Sequence, residues 1–260
     1  MTYCVAANLN AGMIFASDSR TNAGVDHVGR FCKMRIFENP GDRVIITLTS
    51  GNLSVSQGAV NHLVEKGRDN SNRNIWNCTS MYEAAMLLGD SLREVQERDG
   101  PFLARHNIDA SASFLVGGQI KGEAPRLFNV YTEGNFIETS QETLFFQIGE
   151  TKYGKPILDR VLKQETNLRD AAKCVLVSFD STIRSNISVG PPIDLLVYER
   201  DSLKVGIHKR LDDSDPYLLQ IHHNWSEGLR RAFTELPDMN WVDDGHPREH
   251  GVKSYLPGEQ

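Results

Sequence analysis

The chain is poor in the features that staple a fold, span a membrane or bind by positive charge. It has four cysteines, Cys4, Cys32, Cys78 and Cys174, with no Cys-x-x-Cys pair. That argues against a zinc or dithiol centre and in favour of free thiols acting as small core residues. No apolar run approaches the roughly 20 residues that a membrane-spanning helix needs, so no membrane partner is expected. Basic residues are outnumbered, 28 Lys and Arg against 34 Asp and Glu for a net charge of -6. An electrostatic nucleic-acid binder carries a basic face instead, so no nucleic-acid partner is expected either. Met1 to Val5 offer neither the basic n-region nor the apolar h-region of a secretory leader. The cytoplasm is therefore the expected compartment, and sequon-like triplets such as Asn77-Cys78-Thr79 carry no meaning there.

What is present reads as one large domain with an appendage, since 260 residues at 40% hydrophobic content can build a substantial core. Tyr3–Leu9 and Met13–Ala16 are apolar runs separated by the turn residues Asn10-Ala11-Gly12. Lys33–Phe37 and Val44–Leu48 flank Asn39-Pro40-Gly41-Asp42. A helix is expected from about Asn52, with Leu53, Val60 and Val64 on one face. A second carries Met81, Ala84, Ala85, Leu88, Leu92 and Val95 at spacings of three and four, with Ser80 and Glu83 as a capping box. Arg68 to Asn77, between the two, is polar and loop-like.

Strands follow over Ala112–Ile120, Arg126–Tyr131, Phe136–Thr139 and Leu144–Ile148. Helices come next, over about Lys152–Gln164 and over a stretch with Ala172, Val175, Leu176, Phe179 and Ile183 on one side. Ile193–Tyr198 and Lys204–Lys209 form a final hairpin. Blocks of strands and of helix pairs favour an α+β layered domain over alternating βαβ units, and two helix pairs with strands for two sheets suggest four layers. The domain is expected over 2–209. An extension occupies 210–260, with a helix over about 216–235 capped by Asp215-Pro216 and ended by Pro237, then a polar tail. Its stripe of Leu218, Ile221, Trp225, Leu229 and Ala232 either folds back on its own domain or packs on a neighbouring subunit.

The chemistry centres on the start of the chain. A threonine hydroxyl is a weak nucleophile, but at a chain terminus it sits beside its own base. The free α-amine, with an unperturbed pKa of about 7.7–8.0, takes the hydroxyl proton directly or through water. Removal of Met1 would give Thr2 that position. A lysine ammonium nearby disfavours a second positive charge and keeps the amine basic. Lys33, opening the third strand, and Asp18, ending the second, can meet Thr2 at one end of a sheet. The other candidates weigh less. His246-Pro247-Arg248-Glu249-His250 spaces two histidines for a metal, but Gly245 and Pro247 make it a tail loop. Gly117-Gly118 reads as strand and lacks the context of a phosphate-binding turn. No metal and no cofactor is expected.

Taken together, Thr2-Tyr3-Cys4-Val5-Ala6-Ala7, Gly12 to Arg20 with Asp18, Gly24 and Lys33-Met34 resemble the opening of proteasome β-type subunits. Thr49-Ser50-Gly51 is similar to the segment whose glycine N–H serves the oxyanion. Phe114 to Gly118 with Arg126-Leu127-Phe128, and Phe146-Gln147-Ile148-Gly149, extend the likeness over residues 2–209. The wording Phe15 to Gly24 and Ser188-Val189-Gly190-Pro191-Pro192 looks most like the bacterial branch called Anbu. The resemblance implies an αββα N-terminal-nucleophile (Ntn) hydrolase fold and a threonine-peptidase-type site of Thr2, Asp18 and Lys33 with Gly51 at the oxyanion. It also implies substrate pairing as a β-strand beside Asn22 and Gly51, and self-association into a ring or ring-like homo-oligomer.

Two departures bear on activity. Glu150 stands where such subunits carry a serine, and a carboxylate near the terminal amine would stabilise its protonated form. The usual Asp-x-x-Ser-Gly is replaced by Ser185-Asn186-Ile187-Ser188-Val189-Gly190, in which Ser188 keeps a counterpart and the aspartate does not. The leading expectation is hydrolysis of an amide or peptide substrate. The alternatives are a weakly active or inactive assembly subunit and an amidase for small or γ-linked amides.

Overall fold

The structure, a computed structural model, describes residues 2–22, 28–68 and 72–239. Twelve strands and five helices are described: β1 (Tyr3–Leu9), β2 (Gly12–Asp18), β3 (Arg20–Asn22), β4 (Val28–Arg30), β5 (Met34–Asn39), β6 (Arg43–Gly51), α1 (Leu53–Lys66), α2 (Met81–Ala104), β7 (Ala112–Ile120), β8 (Arg126–Val130), β9 (Phe136–Glu138), β10 (Phe145–Gly149), α3 (Lys155–Val161), α4 (Leu168–Ser185), β11 (Ile193–Glu199), β12 (Ile207–Leu211) and α5 (Pro216–Thr234). They build two five-stranded antiparallel sheets, ordered β10-β1-β2-β11-β12 and β5-β6-β7-β8-β9, and a small β3-β4 ribbon.

The period of two in the strands decides the layering, because alternate residues face opposite sides. Tyr3, Val5, Ala7 and Leu9 of β1 turn toward α3 and α4, joined by Val175 and Phe179. Cys4 and Ala6, with Met13 and Phe15 of β2, turn the other way, onto Ile46, Leu48 and Leu115 of the second sheet. That sheet sends Ile45, Phe114 and Val116 outward onto Leu63, Leu88 and Leu92 of α1 and α2. The order is helix pair, sheet, sheet, helix pair, the α+β four-layer sandwich expected. Strands buried on both faces are near-continuous apolar runs, and every residue of β2 is buried.

Local signals hold with adjustments. Asn52 caps α1, its side chain accepting from the Ser54 and Val55 N–H groups. Ser80 Oγ accepts the Glu83 N–H at 3.1 Å, but the Glu83 carboxylate reaches Thr79 N at 2.6 Å rather than closing the box on Ser80. Val64, expected on the inner face of α1, is exposed; Val55, Ala59, Val60 and Leu63 form that face. The helix expected over 152–164 is shorter, and the last strand lies later than expected, at 207–211. Cys32 is exposed, so only three of the thiols are core residues.

The chain divides into a unit ending at Trp225 and another beginning at Ser226. Within the first, Leu218, Ile221 and Trp225 of α5 join the core beneath α4. In the second, Leu229 and Ala232 of the same stripe are exposed. Among the described residues no helix is long and apolar enough to cross a membrane. Gly24 and the His246–His250 pair lie outside the described residues.

Candidate active site

Thr2 directly precedes β1 and is half-buried. Its carbonyl accepts the Glu150 N–H at 2.7 Å. Tyr3 pairs with Gly149 across β1 and β10, and Gly149 has φ of 84°. A Cβ there would lie 2.0 Å from Thr2 O and 3.1 Å from Ser50 Oγ. The end of β10 therefore closes on the Thr2 backbone on one side and on Ser50 of β6 on the other, and only glycine permits the approach. The neighbouring Tyr3 is an anchor. Its ring packs on Phe179 at 4.5 Å between centroids. Its hydroxyl is 2.9 Å from Ser178 Oγ and accepts from Gln147 Nε2 at 2.7 Å. Burial pushes the Tyr3 hydroxyl above its ordinary pKa, so it stays a neutral hydrogen-bonding group.

Asp18 is fully buried at the end of β2. Its Oδ1 accepts the Tyr3 N–H at 3.0 Å and the Lys33 ammonium at 2.6 Å. Lys33, one residue before β5 rather than within it, also donates to the Arg20 carbonyl at 2.6 Å. Burial raises the Asp18 carboxyl above the usual carboxylate range, opposed by Lys33, the Tyr3 N–H and the Gly190 N–H. Two residues fifteen apart in sequence are thus paired in the core beside the residue that follows Thr2. That ion pair is shielded from water, where charge attraction is strongest and isolated charge costs most.

A turn after α4 forms the other side. Asn186 is buried, donates from Nδ2 to Glu150 Oε2 at 3.1 Å and accepts the Ser188 N–H on Oδ1 at 3.0 Å. Glu150 Oε1 accepts the Lys152 N–H at 3.2 Å. The Glu150 carboxylate is therefore engaged by an amide and a main-chain donor, while its own N–H holds Thr2. Arg20 Nη1 donates to the Ile187 carbonyl at 2.8 Å, tying this turn to the strand after Asp18. Asn186 and Arg20 were not singled out from the sequence. Asn186-Ile187-Ser188 has the two-residue spacing of an Asx turn, which is the signal that points to the first.

Gly51 ends β6 with φ of 100°, and a Cβ there would stand 2.4 Å from the Ser111 carbonyl. Asn22 pairs with Val28 in the β3-β4 ribbon; its side chain lies outside the description. Next to Lys33 a cleft of about 260 Å³ opens between β5, β6 and α1, with Cys32, Arg35 and Thr49 on its wall. Among the described residues, Thr49 Oγ1 is buried without a hydrogen-bond partner.

The chain is similar to Anbu (ancestral β-subunit) from Yersinia bercovieri with a TM-score of 0.88. The two are 48% identical, over 93% of this chain and 100% of that one. The chain belongs to the Anbu family. The Pseudomonas aeruginosa Anbu complex, solved as a helical assembly, is 49% identical over 92% of this chain and 98% of that one, with a TM-score of 0.88. A Gly-1 mutant of Anbu from Hyphomicrobium sp. strain MC1 is 46% identical over 92% and 100%, with a TM-score of 0.86. No protein-family model and no curated protein matches. Membership in Anbu makes the four layers those of the proteasome-type Ntn-hydrolase fold.

Proposed function

We propose that this chain is a threonine-type Ntn hydrolase that cleaves peptide bonds through an ester on Thr2 once Met1 is removed. The observation that carries the reading is the shared Asp18 oxygen, which takes both the Lys33 ammonium and the Tyr3 N–H. It fixes a cation and its counter-ion beside the residue after Thr2. In the reaction the Thr2 hydroxyl attacks the carbonyl carbon as the α-amine accepts its proton. The oxyanion is met by the Gly51 N–H. The amine returns the proton to the leaving nitrogen, the C–N bond breaks and an ester remains. Water attacks the ester with the amine again as base, and the hydroxyl of Thr2 is restored. Lys33 keeps the amine basic, Asp18 holds Lys33, and Ser188 supports the amine end. The substrate pairs as a strand beside Asn22 and Gly51. Residues 2–209 form the hydrolase domain, 210–260 its extension, and copies of the chain associate into a ring or ring-like assembly.

Intact mass of the purified chain should show loss of one methionine. Thr2→Ala should then lower peptide turnover at least a thousandfold with secondary structure and particle size unchanged. Undiminished turnover would remove the mechanism. A rival, the weakly active assembly subunit, draws on the buried Glu150 carboxylate held by Asn186. A threonine-directed electrophile separates the two: a covalent adduct on Thr2 favours the hydrolase, and an unlabelled terminus favours the scaffold.

A further inference from the structure

The cleft beside Lys33 has a chemistry of its own. Its walls include two cationic side chains and no carboxylate. Lys33 is already neutralised by Asp18 at 2.6 Å. Arg35 is different: it is exposed on β5 and has no ion-pair partner among the described residues. Across from it, α1 presents Ser56, Gln57 and Asn61, with Leu53 and Val60 as the apolar part of the lining. A space of about 260 Å³ suits one side chain. The unpaired guanidinium offers a planar fork matched to a carboxylate, and the amides of Gln57 and Asn61 can donate to the same group. A lysine or arginine entering here would meet Arg35 with like charge. An apolar side chain would gain nothing from the guanidinium or the two amides, and would find only Leu53 and Val60 to pack on.

We infer that this cleft selects an acidic substrate side chain, with Arg35 as its specificity-determining residue. The inference rests on the hydrolase reading for the word substrate, but its chemistry is that of binding. Recognition of this kind runs against the chain's net charge of -6, so the selectivity is local to the cleft. It weakens with salt as exposed charge pairs do.

Four capped tetrapeptides that differ only in one position, Glu, Gln, Leu or Lys, test it by calorimetric binding to the full-length Thr2→Ala chain. The Glu peptide should bind about tenfold or more tighter than its Gln isostere. Arg35→Gln should erase that difference, and Arg35→Glu should transfer the preference to the Lys peptide. Arg35 is exposed, so both variants should fold; circular dichroism checks this. Equal binding of Glu and Gln peptides, no binding of any peptide, or a preference that survives Arg35→Gln overturns the inference. Turnover by the chain with native Thr2 is read separately. Selective binding without any turnover would sink the hydrolase reading and leave this one standing, and turnover without acidic preference would do the reverse.

Discussion

Asp18 and Lys33 can be judged by what each leaves behind. Asp18 is fully buried and Lys33 nearly so, with 4% of its side chain exposed. Removing one partner of such a pair strands a charge at a cost of about 3–5 kcal/mol, whereas replacing both by neutral side chains of similar size is often nearly neutral. Asp18→Asn should therefore destabilise the chain by about 3–5 kcal/mol, and Asp18→Asn with Lys33→Met should recover most of the loss while remaining inactive. Urea unfolding midpoints of the two variants check this. A double variant as unstable as the single one would mean that the pair does not share its charge. The meeting of Asp18 and Lys33 was legible in the sequence as an end-of-sheet juxtaposition, because turn residues mark where the second strand stops and the third begins. Their assignment with Thr2 to one site came from the resemblance to proteasome β-type subunits. The bond between Asn186 and Glu150 was not legible, since it joins residues 36 apart and no periodicity relates a helix C-terminus to a strand end. For the same reason the sequence showed Glu150 as a carboxylate near the terminal amine but not what its oxygens would bond.

Elements differ in how much of their geometry is local. The cap of α2 is a property of four consecutive residues, and Ser80 and Glu83 announced it. The β3-β4 ribbon, three residues per strand, was missed because so short a stretch holds no alternation to read. The inner face of α1 was misjudged at Val64, where spacing alone gave no way to see that Ala59 and Leu63 set the direction of burial. The two kinds of element should respond differently to substitution. Ser80→Ala removes one cap and should cost about 1 kcal/mol with the site untouched. Gly149→Ala puts a methyl 2.0 Å from the Thr2 carbonyl at φ of 84°. It should cost about 2 kcal/mol or more and displace Thr2 as well. Thermal unfolding paired with electrophile labelling of Thr2 distinguishes them: a fall in stability alone for Ser80→Ala, a fall in both for Gly149→Ala. Labelling at full rate in Gly149→Ala would show that the close approach of β10 does not position the nucleophile.

At the scale of the whole molecule, four layers bury groups that cannot ionise cheaply. Cys4 lies between the sheets, Tyr3 lies under α4, and Cys174 sits on the buried face of α4 in the same core as Tyr3. Cys78 lies in the core of α1, α2 and the second sheet. Burial raises all four, Cys78 to about 11 and Cys174 to about 12, from an ordinary thiol value of 9.0. The sign follows from proton counting. Above about pH 9 for the thiols, and above about pH 10 for Tyr3, the unfolded chain releases these protons while the folded chain keeps them, so the unfolded state binds fewer protons and stability falls as pH rises. For Cys78 the fall runs from about pH 9 and levels near 11, where the folded thiol also ionises. For Cys174 it continues toward 12. Each such group removes up to about 1.36 kcal/mol per pH unit within its window. The melting temperature should therefore drop steadily between pH 9 and 11, and Cys174→Ala should flatten part of that slope relative to the native chain, whatever other groups titrate there. An unchanged slope in Cys174→Ala would mean that this thiol meets water in the folded chain, and with it that the helix layer over the first sheet is looser than its packing implies.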